Sequence, residues 1–111
     1  MKRRKIKAVI TDALGDRVVI GEDELNHSIK EHFETLPEDI LLELLERVLK
    51  DPTTVYEEIR THFYHLFYRL ENGKYLVAVI KKSKTGVFFS TIYPTGKTIR
   101  KKHKNLRKVR L

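Results

Sequence analysis

The chain has 111 residues, 41% of them hydrophobic, which suits one domain with a modest core. It contains no cysteine, which excludes a disulfide framework, a thiolate nucleophile and a cysteine-type zinc site. Net charge is +8 and no apolar run approaches the roughly 18 residues that span a bilayer, so the expectation is a soluble cytoplasmic protein with no membrane partner.

The distribution of charge says more than its sum. Residues 1–7 carry five basic groups, Lys2, Arg3, Arg4, Lys5 and Lys7. Residues 12–58 carry fourteen acidic groups against four basic, and residues 60–111 carry fourteen basic groups against one acidic, Glu71. A field of one sign over half a chain attracts and steers a polyanion, whereas a scattered excess is only a solvated surface.

In chain order, residues 6–20 read as two short strands joined by a turn around Gly15 and Asp16, with Val18, Val19 and Ile20 as β-branched strand formers. A short helix over Thr11–Leu14 is the alternative. Gly21 breaks the pattern, and Glu22, Asp23 and Glu24 place negative charge at a helix N-terminus. That helix is expected to run to about Thr35, with Leu25, Ile29 and Phe33 stacked on one side, His27 and Lys30 turned from the stripe and His32 at its edge. Pro37 opens a second helix, expected to bury Ile40, Leu41, Leu44, Leu45 and Val48 and to stop at Lys50-Asp51-Pro52.

Thr53–Ile59 suggests a first or edge strand. Two apolar runs then flank Asn72-Gly73, a strong hairpin signal because a type I′ turn needs positive φ at both central residues. That register sets Glu71 opposite Lys74, Arg69 opposite Leu76 and Phe67 opposite Ala78. One face then holds His65, Phe67, Arg69, Leu76, Ala78 and Ile80, and the other Tyr64, Leu66, Tyr68, Tyr75, Val77 and Val79. Both are apolar enough to be covered, one by the helices and the other by the N-terminal hairpin, the tail or a ligand. Residues 87–93 form a further strand, with Val87, Phe89, Thr91 and Tyr93 on one side and Phe88, Ser90 and Ile92 on the other. The last fifteen residues include eight basic and four apolar ones, which reads as a partly ordered basic arm over 97–111 following a domain over 1–96.

Three groups of residues carry chemistry. Tyrosines at 64, 68 and 93 together with the basic residues of the sheet and tail, Arg100, Lys101 and Lys102 among them, suit single-stranded nucleic acid: rings for bases, cations for phosphates. His27, Lys30 and His32 on the first helix, and His62 and His65 in the first long strand, can exchange protons beside cations, as RNA transesterification requires. Ser90, Thr91 and Tyr93 offer hydroxyls to a phosphate or a 2′-hydroxyl. The spacing of the histidines does not point to a metal, and no phosphate-binding loop or dinucleotide fingerprint points to a cofactor.

The order HSIKEH (His27–His32), LPEDILLELLERVLKDPTTV (Leu36–Val55), YHLFYRL, YLVAVI and FFSTIYP (Phe88–Pro94) resembles phage-associated nucleases of the superfamily that groups barnase, EndoU, colicin-type and RelE-like ribonucleases. The resemblance covers about residues 18–95. With the reading of the residues it gives the expectation of an α+β fold with an N-terminal β-hairpin and two α-helices packed on an antiparallel sheet of about four strands. It also implies a metal-independent endoribonuclease without cofactor, deployed as a toxin in a phage or toxin–antitoxin setting. By position, His27 and His32 become the catalytic candidates on the helix, Lys30 a phosphate contact, Thr91 and Tyr93 the groups on the sheet, and Arg69 a lesser electrostatic one. The residue before the second helix histidine, often basic in such proteins, is Glu31 here. Two other readings remain open on the residues alone: a non-catalytic nucleic-acid-binding module, and a domain whose tail binds an acidic partner such as an antitoxin or immunity protein.

Overall fold

The computed structural model describes residues 5–96 and 105–111. Strands β1 (Ile6–Thr11) and β2 (Arg17–Gly21) form the N-terminal hairpin, followed by helices α1 (Glu22–His32) and α2 (Glu38–Lys50). Strands β3 (Thr54–Glu58), β4 (Tyr64–Glu71), β5 (Lys74–Ser83), β6 (Gly86–Thr95) and β7 (Leu106–Val109) complete one seven-stranded sheet in the order β1-β2-β6-β5-β4-β3-β7. The α+β class is as expected, but among the described residues the sheet has seven strands where about four were expected, and it is mixed: β2 runs parallel to β6. The N-terminal hairpin supplies the difference at one side. It extends the sheet instead of covering a face, because β2 finds the free edge of β6. At the other side Leu106–Val109 pairs with β3, so β3 is an internal strand. The rest of the expected basic arm, residues 97–104, lies outside the described residues.

Local chemistry explains the turns. In the first hairpin the Asp12 carboxylate accepts the backbone N–H groups of Leu14 and Asp16, each at 2.9 Å, and Gly15 takes φ 88°. In the second, Asn72 and Gly73 have φ 50° and 79°, and the pairing Glu71↔Lys74, Arg69↔Leu76, Phe67↔Ala78 follows as the turn demands. Helix α1 stops at His32, short of Thr35: Phe33 leaves helical geometry and bonds back to the Ile29 carbonyl. Pro37 caps α2 and Asp51 ends it.

The helices cover one face. Leu25 of α1 and Leu41, Leu45, Val48 and Leu49 of α2 pack with Val55, Phe67, Ala78, Ile80, Phe89 and Ile92 into the main core. The buried stripe of α2 is rotated from the expected one, since Leu49 is fully buried, Leu44 is half-buried and Ile40 is exposed. The opposite face carries a second cluster built on Leu66, Tyr68 and Val77, flanked by Tyr56, Tyr64, Tyr75 and Tyr93. All five tyrosines of the chain therefore share the face turned from the helices. Tyr68 sits at their centre with Tyr56 and Tyr75 edge-on at 5.6 and 6.0 Å. Among the described residues no helix is long and apolar enough to cross a membrane.

Candidate functional site

The site grows from an incomplete strand pairing. One edge of β6 is bonded along its length to β5, but the other meets β2 only at Val18↔Val87 and Val19↔Phe88. β2 ends at Gly21 and the chain passes directly into α1, which lies against the remainder of that edge. A bare strand edge inside a fold leaves backbone donors without partners. Here the buried Ser28 answers one: the Ile92 N–H donates to its Oγ at 3.2 Å, and the Ser28 and Thr91 hydroxyls are 3.2 Å apart.

A β-bulge then decides which side chains meet the helix. Val79 pairs with Thr91 but Ile80 with Phe89, so Ser90 is an extra residue in β6. Strict alternation would keep Val87, Phe89, Thr91 and Tyr93 together. The bulge divides them instead: Val87, Phe89 and Ile92 turn into the main core, while Thr91 and Tyr93 turn to the tyrosine face opposite Val79 and Val77.

Helical geometry does the rest. Ser28 and His32 are four residues apart on α1 and lie on one side of it. As Ser28 reaches Thr91, the exposed His32 ring comes to 5.9 Å from the half-buried Tyr93 ring, tilted by 47°. Burial pushes the Tyr93 phenol above its ordinary pKa, so at neutral pH it is a hydrogen-bond donor. The junction of α1 and β6 thus gathers an accessible imidazole, a protonated phenol and a threonine hydroxyl, a set able to transfer a proton and to donate to a phosphate oxygen.

A family model described as phage-Barnase-EndoU-ColicinE5/D-RelE like nuclease2 matches residues 2–111. The chain belongs to that family. No curated protein and no solved structure matches it. Membership in a nuclease family points to nucleic acid as the substrate class.

The remaining expected site residues are dispersed. His27 and Lys30 are exposed, and neither lies on the Ser28–His32 side of α1. Tyr64 is half-buried on the tyrosine face, paired across from Lys81. Ser90, pushed out by the bulge, is exposed and lines a cleft with Lys81 and Phe88. Arg69 faces the helix side, where its guanidinium bonds Glu71 Oε1 at 2.9 Å and Asp51 Oδ2 at 2.9 Å, at the C-terminal end of α2. His65 is buried on the same side. Burial, with a contribution from Lys82, lowers its pKa and favours the neutral ring. Arg100, Lys101 and Lys102 lie outside the described residues.

One constellation joins the expected His62 and His65 to two residues not expected at a site, Glu57 and Arg107. Glu57 draws His62 Nδ1 to 2.8 Å, Arg107 to 3.3 Å and His65 Nε2 to 3.8 Å, and its carboxyl is held below the usual range chiefly by the His62 hydrogen bond. Nothing in the spacing of Glu57 and Arg107 announces it. Glu57 meets His65 and Arg107 through the β3–β4 and β3–β7 registers, and His62 is turned back by a left-handed φ of 60°.

Proposed function

We propose that this protein is an endoribonuclease that cleaves single-stranded RNA at the α1–β6 junction. The observation that carries the reading is the convergence of His32, Thr91 and Tyr93 at one sheet edge, from segments some sixty residues apart. The reaction is attack of the ribose 2′-hydroxyl on the adjacent phosphorus, with departure of the 5′-oxygen and a 2′,3′-cyclic phosphate as product. His32 exchanges the proton, taking it from the 2′-hydroxyl or giving one to the leaving oxygen. The Tyr93 phenol and the Thr91 hydroxyl donate to the non-bridging oxygens as charge gathers there. No step calls on a metal ion.

The basic second half of the chain concentrates the polyanion near the site. A cytoplasmic toxin held in check by a small acidic protein is the setting that suits a ribonuclease of this charge, and co-purification of such a protein tests that part.

The enzyme reading is tested on purified protein with single-stranded RNA in EDTA. The expected result is cleavage leaving a cyclic phosphate, abolished in His32→Ala with the fold intact. No cleavage under any buffer or salt condition sinks it and leaves the second reading, a nucleic-acid-binding module. That alternative is favoured by the five tyrosines on one face, and it predicts salt-sensitive binding without product.

A further inference from the structure

Two neighbouring clefts lie where β5 turns into β6. The first, about 330 Å³, has Lys81, Ser83, Phe88 and Ser90 in its walls and Glu24 on its α1 side. Its wall reaches Ser90, the residue before Thr91 in β6. The second, about 250 Å³, is lined by Phe63 and by Lys81, Lys82, Ser83 and Lys84. Lys81 and Ser83 belong to both, so the two adjoin.

The loop that presents Phe63 is held by its own hydrogen bonds. The Glu58 carboxylate accepts the N–H groups of Arg60 at 2.8 Å and Thr61 at 3.0 Å, along with the Thr61 hydroxyl. His62 donates its N–H to the Glu58 carbonyl at 3.1 Å, and its ring is tied to Glu57. The Phe63 carbonyl accepts the N–H of Lys82 at 2.6 Å. So many bonds fix the backbone, yet Phe63 is 53% exposed. A rigid loop that holds an aromatic ring in water gives up burial, and it is pre-organised to stack on a flat partner at little entropic cost.

We propose that the two clefts form one track for single-stranded nucleic acid, running from His32 and Tyr93 past Ser90 and Lys81 to a base stacked on Phe63. Lys81 and Lys84 meet successive phosphates. Lys82, already paired with Asp16 at 2.8 Å, contributes less. Phe88 and the buried Phe89 line the first cleft, Phe63 lines the second and Lys81 is shared, and this mixture of apolar rings and cations fits bases and phosphates better than the carboxylates of an acidic protein. The track rests on the nucleic-acid substrate of the proposed function, but not on cleavage.

The test is fluorescence anisotropy of the full chain with a labelled deoxyoctanucleotide, which lacks the 2′-hydroxyl and cannot be cut by the proposed route. Phe63→Ala is expected to weaken binding about tenfold, the loss of one stacked base. Lys81→Gln and Lys84→Gln are each expected to weaken it and to lower the salt slope by about 0.7, whereas Lys74→Gln, at the distant hairpin turn, leaves both unchanged. An octamer with abasic sugars is expected to bind more weakly than the intact one. Wild-type affinity in Phe63→Ala, or equal affinity for intact and abasic strands, overturns the track. Cleavage of RNA with those affinities unchanged removes the track and leaves the ribonuclease; binding along the track without any cleavage does the reverse.

Discussion

The hydroxyl of Ser28 takes the place of a neighbouring strand for Ile92, accepting its edge N–H at 3.2 Å while standing 3.2 Å from the Thr91 hydroxyl. This contact joins helix to sheet at the proposed site, and it is fully buried on the serine side. Ser28→Ala strands the Ile92 donor in the interior, at a cost of about 1–3 kcal/mol. The melting temperature is expected to drop by roughly 4–8 °C per kcal/mol for a domain of this size. RNA cleavage should fall further than stability alone explains, because His32 rides on the same helix face. A variant with unchanged melting and unchanged rate refutes the role.

Tyr93→Phe keeps the ring against His32 and removes only the hydroxyl. If the phenol donates to the phosphate in the transition state, kcat falls about 10²-fold or more while stability stays within about 0.5 kcal/mol of wild type. Single-turnover cleavage together with a thermal melt reads both. A rate within twofold of wild type takes Tyr93 out of the mechanism.

Arg69 bridges Asp51 and Glu71, and Glu71 also receives Arg47 at 3.3 Å, so the end of α2 is fastened to the β4–β5 hairpin. Arg69→Ala should therefore lower the melting temperature, by less than Ser28→Ala because the pairs are partly exposed, and leave RNA affinity unchanged. The carboxyl of Glu71 is held below its ordinary pKa first by Arg69, so the wild type loses this stabilisation as pH falls below about 4.3. Melting curves between pH 6 and 3 should show a smaller acid loss in the variant. Weakened RNA binding at unchanged stability would instead make Arg69 a contact residue.

His65 is buried, and its pKa is lowered in the fold. Burial holds its ring neutral in the fold, whereas in the unfolded chain it takes up a proton as pH falls through about 6.5. The unfolded state then binds more protons, so this residue makes the protein less stable as pH drops below that value. His65→Leu should show a flatter dependence of melting temperature on pH between 7.5 and 5.5. Parallel curves for variant and wild type count against the burial effect.

Much of the fold follows from short-range rules. Asn72-Gly73 admits one favourable turn, and that turn sets the register of β4 and β5 and the faces of twelve side chains, all found where the pairing puts them. The acidic first turns and apolar stripes of α1 and α2 likewise mark the helices, within a few residues at their ends. Errors appear where the outcome depends on a distant partner. The bulge at Ser90 overrides alternation in β6, and the rotation of the α2 stripe toward Leu49 follows the surface it packs on.

The sequence alone therefore settles the local conformations, the hairpin pairing, the basic polarity of the chain and, through its motif order, the nuclease family. Tertiary structure decides the parallel join of β2 to β6, the addition of β7, and the meeting of His32 with Tyr93 and of Glu57 with His62 and Arg107. The division has a physical cause. Turn and helix preferences act over a few residues, where φ, ψ and side-chain period are set by neighbours along the chain. Edge pairings and site geometry arise only when segments far apart in sequence compete for the same unpaired backbone groups and the same apolar surface. Ser28 against Ile92 is the outcome of one such competition.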